Sequence, residues 1–196
     1  MDKQTIIDFF DGLADKWDSW QDGNNPIIAL AIDLITPSPN LKILDTACGT
    51  GIIEPFLEKY NPNYMLCVDI SSKMIDLAKA KSQNSWAKYL NSDIFDVTEN
   101  EFDICIIHNA LPHFEDFKRL IDHVSQRLKN GGRIVILHSE SRDSINKRHM
   151  AKADAVSRYL PKAKELADIF KPIFDIDIII DTKKIYMVSG VKVTKN

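Results

Sequence analysis

The segment Leu41-Lys42-Ile43-Leu44-Asp45-Thr46-Ala47-Cys48-Gly49-Thr50-Gly51 restricts the fold more than any other. It reads as a buried strand that turns sharply through small residues into a helix starting near Gly51. Backbone bare of side chains at such a turn can approach a ligand closely. A helix N-terminus beside it offers unpaired N–H groups to an anionic or polar group. About twenty residues further on, a second apolar strand, Met65-Leu66-Cys67-Val68, ends in Asp69. A carboxylate there, in a βαβ unit, can accept hydrogen bonds from ribose hydroxyls. The pairing of turn and carboxylate predicts a nucleoside-bearing cofactor.

The dinucleotide pattern G-x-G-x-x-G is absent, because Gly51 is followed by Ile52, Ile53 and Glu54; the P-loop Gly-Lys-Ser/Thr ending is absent too. Asp45 instead precedes the turn. Its carboxylate can hold a cationic amino group or the water around one, and would repel a phosphate. With this element order, D-x-A-C-G-T-G resembles the class I S-adenosylmethionine-dependent methyltransferases over roughly residues 40 to 140. The quinone-methylating and related small-molecule groups are the most similar. Those enzymes usually carry Gly where Ala47 stands, a mild departure.

The resemblance implies S-adenosylmethionine as cofactor, with S-adenosylhomocysteine as product. Its contacts would come from Asp45, Ala47, Gly49, Gly51 and Asp69. Ile70 and Met74 would pack against adenine, although Met74 reads equally well as core. Asp93 would meet the adenine amino group, Ile94 would flank the ring, and His108 would close the site from the fourth strand.

A chain of 196 residues is enough for one domain with a substantial core. Lys plus Arg number 25 and Asp plus Glu 28, a net charge of −3. No global positive field therefore favours nucleic acid. Cys48, Cys67 and Cys105 lack C-x-x-C spacing and sit in apolar contexts, as expected of inert reduced thiols. The N-terminus leads into no long apolar core, and no run approaches membrane-spanning length. A cytoplasmic protein with no membrane partner is expected; the oligomeric state is not legible.

The expected fold is α/β: a Rossmann-like, mostly parallel seven-stranded sheet with helices on both faces and a C-terminal antiparallel hairpin. The chain reads as a single domain over 1–196. Residues 1–38 form N-terminal lid helices, ending in the breaker run Thr36-Pro37-Ser38-Pro39-Asn40. Residues 39–140 form the cofactor-binding core, and 141–196 the substrate-side helices and closing hairpin. Within the core, a helix is expected from about Gly51 to Tyr60. Another should run to Lys129 and end at Asn130-Gly131-Gly132, with a strand over 133–137 following.

Ile6, Phe9, Phe10, Leu13 and Trp17 recur at helical spacing near the N-terminus. This string, ending in Trp17-Asp18, is similar to the lid helix of small-molecule methyltransferases. The similarity implies that Phe10 and Trp17 touch the substrate.

Histidines gather at the expected carboxyl ends of strands 4 and 5, the crevice side of such a sheet. His108 and His138 end the strands, His113 begins the next helix, and His149 follows; His123 reads as an ordinary helix residue. Imidazole titrates near neutrality and is also a common metal ligand. His108 and His138 are the candidate bases, with His113 and His149 as substrate contacts. His108-x4-His113 with His138 is compatible with a metal site without being diagnostic, and no metal ligand is assigned. In the polar segment 138–149, Arg142 and Asn146 are expected to face the pocket and grip an anionic or carbonyl-bearing substrate.

The leading expectation is methyl transfer to a small molecule by in-line displacement. The alternatives are a metal-dependent O-methyltransferase and a binding module that keeps the cofactor site without turnover. Methylation of nucleic-acid amines is disfavoured, because His108-Asn109-Ala110-Leu111 lacks the Asn/Asp-Pro-Pro-Tyr/Phe signature.

Overall fold

The computed structural model describes residues 1–20, 23, 25–35 and 38–194, so Thr36 and Pro37 of the expected breaker run lie outside the described residues. In chain order the elements are α1 (Lys3–Trp17), α2 (Pro26–Leu34), β1 (Lys42–Thr46), α3 (Glu54–Leu57), β2 (Tyr64–Asp69), α4 (Ser72–Lys81), β3 (Ala87–Asn91), β4 (Phe102–His108), α5 (Phe117–Arg127), β5 (Leu128–His138), α6 (Arg142–Lys152), α7 (Ala163–Phe170), β6 (Phe174–Asp181) and β7 (Tyr186–Lys192). The strands form one seven-stranded sheet in the order β3-β2-β1-β4-β5-β7-β6. β3 through β5 pair in parallel, while β7 runs antiparallel to both β5 and β6. The expected architecture is therefore the observed one.

The central strands are apolar almost throughout because both sheet faces are covered. On one face, Phe102, Cys105, Ile107, Ile134, Ile136 and Val188 join Leu120, Ile121 and Val124 of α5 and Leu166, Ala167 and Phe170 of α7. On the other, Ile43, Met65, Ile104, Ile106, Val135 and Leu137 join Ile28, Ala31 and Ile32 of α2, Leu57 of α3 and Ile75 of α4. Alternate residues of each strand feed opposite faces, so the register that builds the two cores also fixes which side chains end the strands.

Two expectations are corrected. No long helix starts at Gly51: residues 49–53 continue as turns, α3 is four residues long, and a 3-10 turn Glu58–Tyr60 completes the segment. Gly51 takes a positive φ of 82°, which stops helical continuation, and its N–H closes a tight turn onto the Cys48 carbonyl at 3.0 Å. The second correction concerns β5. Asn130-Gly131-Gly132 does not separate helix from strand, because Leu128 already pairs with Phe102 across a register shift. The glycines fill that irregularity; a Cβ on Gly132 would stand 3.0 Å from the Lys129 carbonyl oxygen.

Candidate active site

Two groups of residues occupy the carboxyl edge of the sheet. The first surrounds the turn after β1. Gly49 (φ 55°) and Gly51 adopt left-handed backbone, and so does Ala47 (φ 55°). An L-residue there is strained by about 1–2 kcal/mol. Asp69, at the end of β2, reaches back to this turn. Its two carboxylate oxygens accept from the Gly49 N–H at 2.8 Å and from the Ser71 N–H at 2.9 Å. Burial raises its pKa, while those N–H groups pull the other way. Each oxygen retains a lone pair for a further donor.

Asp45 is different. It is 1% exposed, its Oδ2 is buried without a hydrogen-bond partner, and its pKa is pushed up to about 8. Burial is the main cause, followed by repulsion from Asp69 and Glu54. A carboxylate in that position lacks a cation.

Ile70 is half-buried, and Met74 sits on the buried face of α4. Asp93 caps the turn at Ile94–Asp96 by accepting from the Phe95 N–H at 3.1 Å, and it also pairs with Lys3 at 3.1 Å. Ile94 is 5% exposed and packs in the core.

α1 lies across this edge. Asp11 binds the Ser71 hydroxyl, and accepts from the Lys73 N–H at 3.4 Å. Asp18 accepts from Thr50 Oγ1 at 2.5 Å and from Lys81 Nζ at 2.7 Å. These partners outweigh the cost of its burial and hold its pKa down. The Trp17 indole nitrogen is 3.6 Å from where a Cβ on Gly49 would sit. Phe10 stands edge-on to Trp17 at 5.6 Å and to His113 at 4.9 Å, joining the glycine turn to the histidines.

The second group ends β4 and β5. His108 is 7% exposed and His138 1%, and Nε2 of each is buried without a partner. Asn109, in left-handed backbone (φ 52°), ties the two strand ends together. Its amide donates to Ser139 Oγ at 3.1 Å and accepts from the Ser139 N–H at 3.1 Å. Burial lowers the pKa of His108 to about 4. It does the same to His113 against the opposing pull of the Val156 carbonyl 2.8 Å from Nδ1. His138 falls well below the usual imidazole value, through burial and then through the neighbouring His108, His113 and His149. His113 stands in a 3-10 turn, Leu111–His113, not in the following helix. Its ring is 5.1 Å from that of His149. Among the described residues no three histidine, cysteine or carboxylate side chains converge as a metal-ligand set. The metal-dependent alternative gains no support from these histidines.

Arg142 and Asn146, expected to face a pocket, are both engaged by protein partners. The Arg142 guanidinium is engaged by Asp181 at 3.3 Å, Asp143 at 3.0 Å and the Tyr159 hydroxyl at 3.2 Å. Asn146 is buried, donating to the Leu160 carbonyl at 3.0 Å and accepting from the Leu160 N–H at 2.8 Å. Asn146 spends its amide inside the protein, whereas the Arg142 contacts lie at the surface. Tyr186 was not legible as a site residue: it starts β7 directly opposite His138 in the antiparallel register. Its ring stands 5.7 Å from the imidazole, and its hydroxyl is buried without a partner. Nothing in the sequence around Tyr186 announces that pairing.

Comparison with known proteins finds methyltransferases among the relatives and the similar folds. A family model described as a methyltransferase domain matches residues 44–136. The ubiquinone/menaquinone biosynthesis C-methyltransferase of Wigglesworthia glossinidia brevipalpis is 28% identical over 149 residues, covering 67% of this chain and 58% of that protein. The chain thus spans under two thirds of the length of the first curated relatives it matches. Among solved structures, a putative methyltransferase in complex with the Haloferax volcanii Trm112 methyltransferase activator superposes with a TM-score of 0.82. It is 14% identical and covers 97% of this chain and 99% of its own. The magnesium protoporphyrin IX methyltransferase of Synechocystis, with bound S-adenosylhomocysteine, has a TM-score of 0.77 at 18% identity, covering 98% and 100%. At these identities the structures report shared fold. Among the described residues, no helix is long and apolar enough to cross a membrane.

Proposed function

We propose that this chain, whose residues 44–136 match a methyltransferase-domain model, is a class I S-adenosylmethionine-dependent methyltransferase that transfers a methyl group to a small-molecule acceptor by in-line displacement. The observation that carries the cofactor half is the buried, unpartnered Oδ2 of Asp45 beside the left-handed turn 47–51. A carboxylate whose protonation is forced by desolvation and two like charges is complementary to an ammonium or its water shell. A phosphate would worsen the repulsion. The residues present therefore fit a cofactor with a free amino group and a ribose.

When bound, S-adenosylmethionine supplies a methyl group activated on a positively charged sulfur. Asp45 balances the amino end, and Asp69 offers its remaining lone pairs to ribose hydroxyls. Gly49 and Gly51 keep the turn free of side chains, and Asp93, shared with Lys3, is the candidate for the adenine amino group. α1, through Phe10 and Trp17, excludes water and gives the reacting pair a dry, oriented enclosure. His108 and His138 present neutral imidazoles that can take a proton from the acceptor as the methyl arrives. The imidazolium so formed replaces the positive charge that the donor sulfur gives up, and burial, which disfavours that charge, drives the proton on to water once the products leave.

Calorimetric titration of the purified protein with S-adenosylmethionine and S-adenosylhomocysteine tests the first half. Micromolar binding of both, lost in Asp69→Ala, supports it. Absence of binding to folded protein would overturn it, leaving Asp45, Gly49, Gly51 and Asp69 as fold residues. His138→Ala should lower turnover with cofactor affinity nearly intact; a silent substitution moves the base to His108. Intact binding with no turnover on any acceptor would favour the non-catalytic module.

A further inference from the structure

Three left-handed residues, Ala47, Gly49 and Gly51, fall within residues 47–51, a backbone path that no regular element supports. Groups from elsewhere in the chain hold its second half residue by residue. The Gly49 N–H donates to Asp69 at 2.8 Å, and Thr50 Oγ1 donates to Asp18 at 2.5 Å. Gly51 has no side chain to hold and is met by packing instead. A Cβ there would stand 3.2 Å from the Tyr89 hydroxyl, and 3.5 Å from both Cε1 of that ring and the Ala78 methyl. What sets the Tyr89 hydroxyl in that place is Glu54.

Glu54 opens α3 and is 4% exposed. Its Oε2 accepts from the Tyr89 hydroxyl on β3. Its Oε1 accepts from Ser82 Oγ at 2.7 Å and Asn84 Nδ2 at 2.8 Å, both just beyond α4. Its own N–H reaches the Gly51 carbonyl at 3.4 Å. The carboxylate thus joins the segment after the turn, the end of α4 and β3. Among the described residues no cation pairs with it; Lys81, in the same cleft, is held by Asp18 at 2.7 Å. Burying a carboxylate among neutral donors is costly. Replacing such a network by apolar side chains of the same shape is close to neutral for stability. Folding alone therefore does not call for an acid here, whereas holding the Tyr89 hydroxyl at a set distance from Gly51 does.

We infer that Glu54 is a positioning residue of the cofactor site: through Tyr89 it braces Gly51 from behind and so fixes the backbone that faces the cofactor. Glu54 acts through Tyr89 and not by contact with a ligand. With it, three carboxylates from three parts of the chain hold three successive residues, Gly49, Thr50 and Gly51. The word cofactor rests on the methyl-transfer reading; the brace on the turn does not.

The test compares Glu54→Ala with Glu54→Gln. Both remove the same charge, so a difference between them is one of geometry. Gln keeps an oxygen for Ser82 and Asn84 and an N–H for the Tyr89 oxygen, whereas Ala keeps neither. Affinity for S-adenosylhomocysteine, measured by calorimetry well below the melting temperature, should fall about tenfold in Glu54→Ala and stay within about twofold of the parent in Glu54→Gln. Hydrogen exchange of the ligand-free proteins should be faster over 47–51 in the Ala variant alone, with β5 unchanged. Tyr89→Phe removes one hydroxyl and keeps the ring against Gly51. It should weaken binding about threefold, and it carries the test if Glu54→Ala does not fold. A lower melting temperature with parent-like affinity and parent-like exchange at the turn would reduce Glu54 to a fold residue and overturn the inference. So would a Tyr89→Phe variant with parent-like affinity. Equal loss in the Ala and Gln variants would overturn it as well, because charge and not position would then be responsible. If the parent binds no S-adenosylhomocysteine, the cofactor reading fails, and exchange over 47–51 alone decides the brace.

Discussion

The two halves of the sheet's carboxyl edge solve burial in opposite ways. Around β1 and β2, carboxylates are buried: Asp69 is satisfied by backbone N–H groups, and Asp45 is held toward its protonated form. Around β4, β5 and β7, bases are buried and held neutral. Both halves avoid unpaired charge, but one buries acids and the other buries imidazoles.

The sharpest way to break the comparison is a pH profile of stability, because the halves titrate with opposite sign. The pKa of Asp45 is raised in the folded protein from 3.8 to about 8, so its contribution is fully present below about pH 4 and is lost as pH rises toward 8. Asp69 acts in the same direction. His108, His113 and His138 are lowered from 6.5, so the folded state refuses protons that the unfolded chain accepts between about 4 and 6.5; stability rises with pH there. Chemical denaturation of ligand-free protein should therefore show a maximum near pH 6.5, with an alkaline drop of about 2 kcal/mol by pH 8 and a fall on the acid side as well. Asp45→Asn should flatten the alkaline limb and steepen the acid one, where the Asp45 loss opposes the histidine gain, and saturating S-adenosylmethionine should flatten the alkaline limb as well. A profile that climbs to pH 8 would refute the buried-acid half.

Next in size is Asp69→Ala. It removes an acceptor from two backbone N–H groups and from the proposed ribose contact. Cofactor affinity should fall by more than about 1.5 kcal/mol in calorimetry. Asn146→Ala tests the reverse boundary. Loss of both bonds to Leu160 should cost about 2 kcal/mol of folding stability, read by urea denaturation, while the affinity for cofactor stays constant. An Asn146 variant that is fully stable but loses acceptor binding would restore it to the pocket.

Ala47→Gly should stabilise the protein by about 1 kcal/mol, since it relieves left-handed strain without removing a contact that defines the turn. The smallest effect belongs to Lys81→Ala. Its ion pair with Asp18 is half exposed at both ends, and its loss should change stability by less than about 1 kcal/mol. It should also diminish as salt is raised in the parent protein.

Legibility divided along the same line as the chemistry. The acidic half could be read from the chain because its determinants are local: a strand, a turn that needs small residues, and a carboxylate one βαβ unit later. Near-continuous apolar runs and the Asp45 to Gly51 spacing carry that information directly. The helix expected at Gly51 failed for an equally local reason, a positive φ that the sequence could suggest but not locate. In the basic half, His108 and His138 could be placed at strand ends, but their burial and missing partners could not. Polarity along 138–149 does not reveal which polar groups already have partners in the fold, as Arg142 and Asn146 do. Asp181 and Leu160, which consume them, are 39 and 14 residues away.

The sequence by itself determined the sheet, the covered faces, the glycine turn and the acid that follows β2, because these follow from backbone conformation and hydrophobic period within short windows. The tertiary structure alone decided that Tyr186 stands opposite His138, that Asn109 pins the ends of β4 and β5, and that Asp11 and Asp18 lay α1 over the turn. Each of those depends on strand register or on a contact between elements far apart in the chain. Such contacts are chosen by the packing of the whole core, which no short window of the sequence encodes.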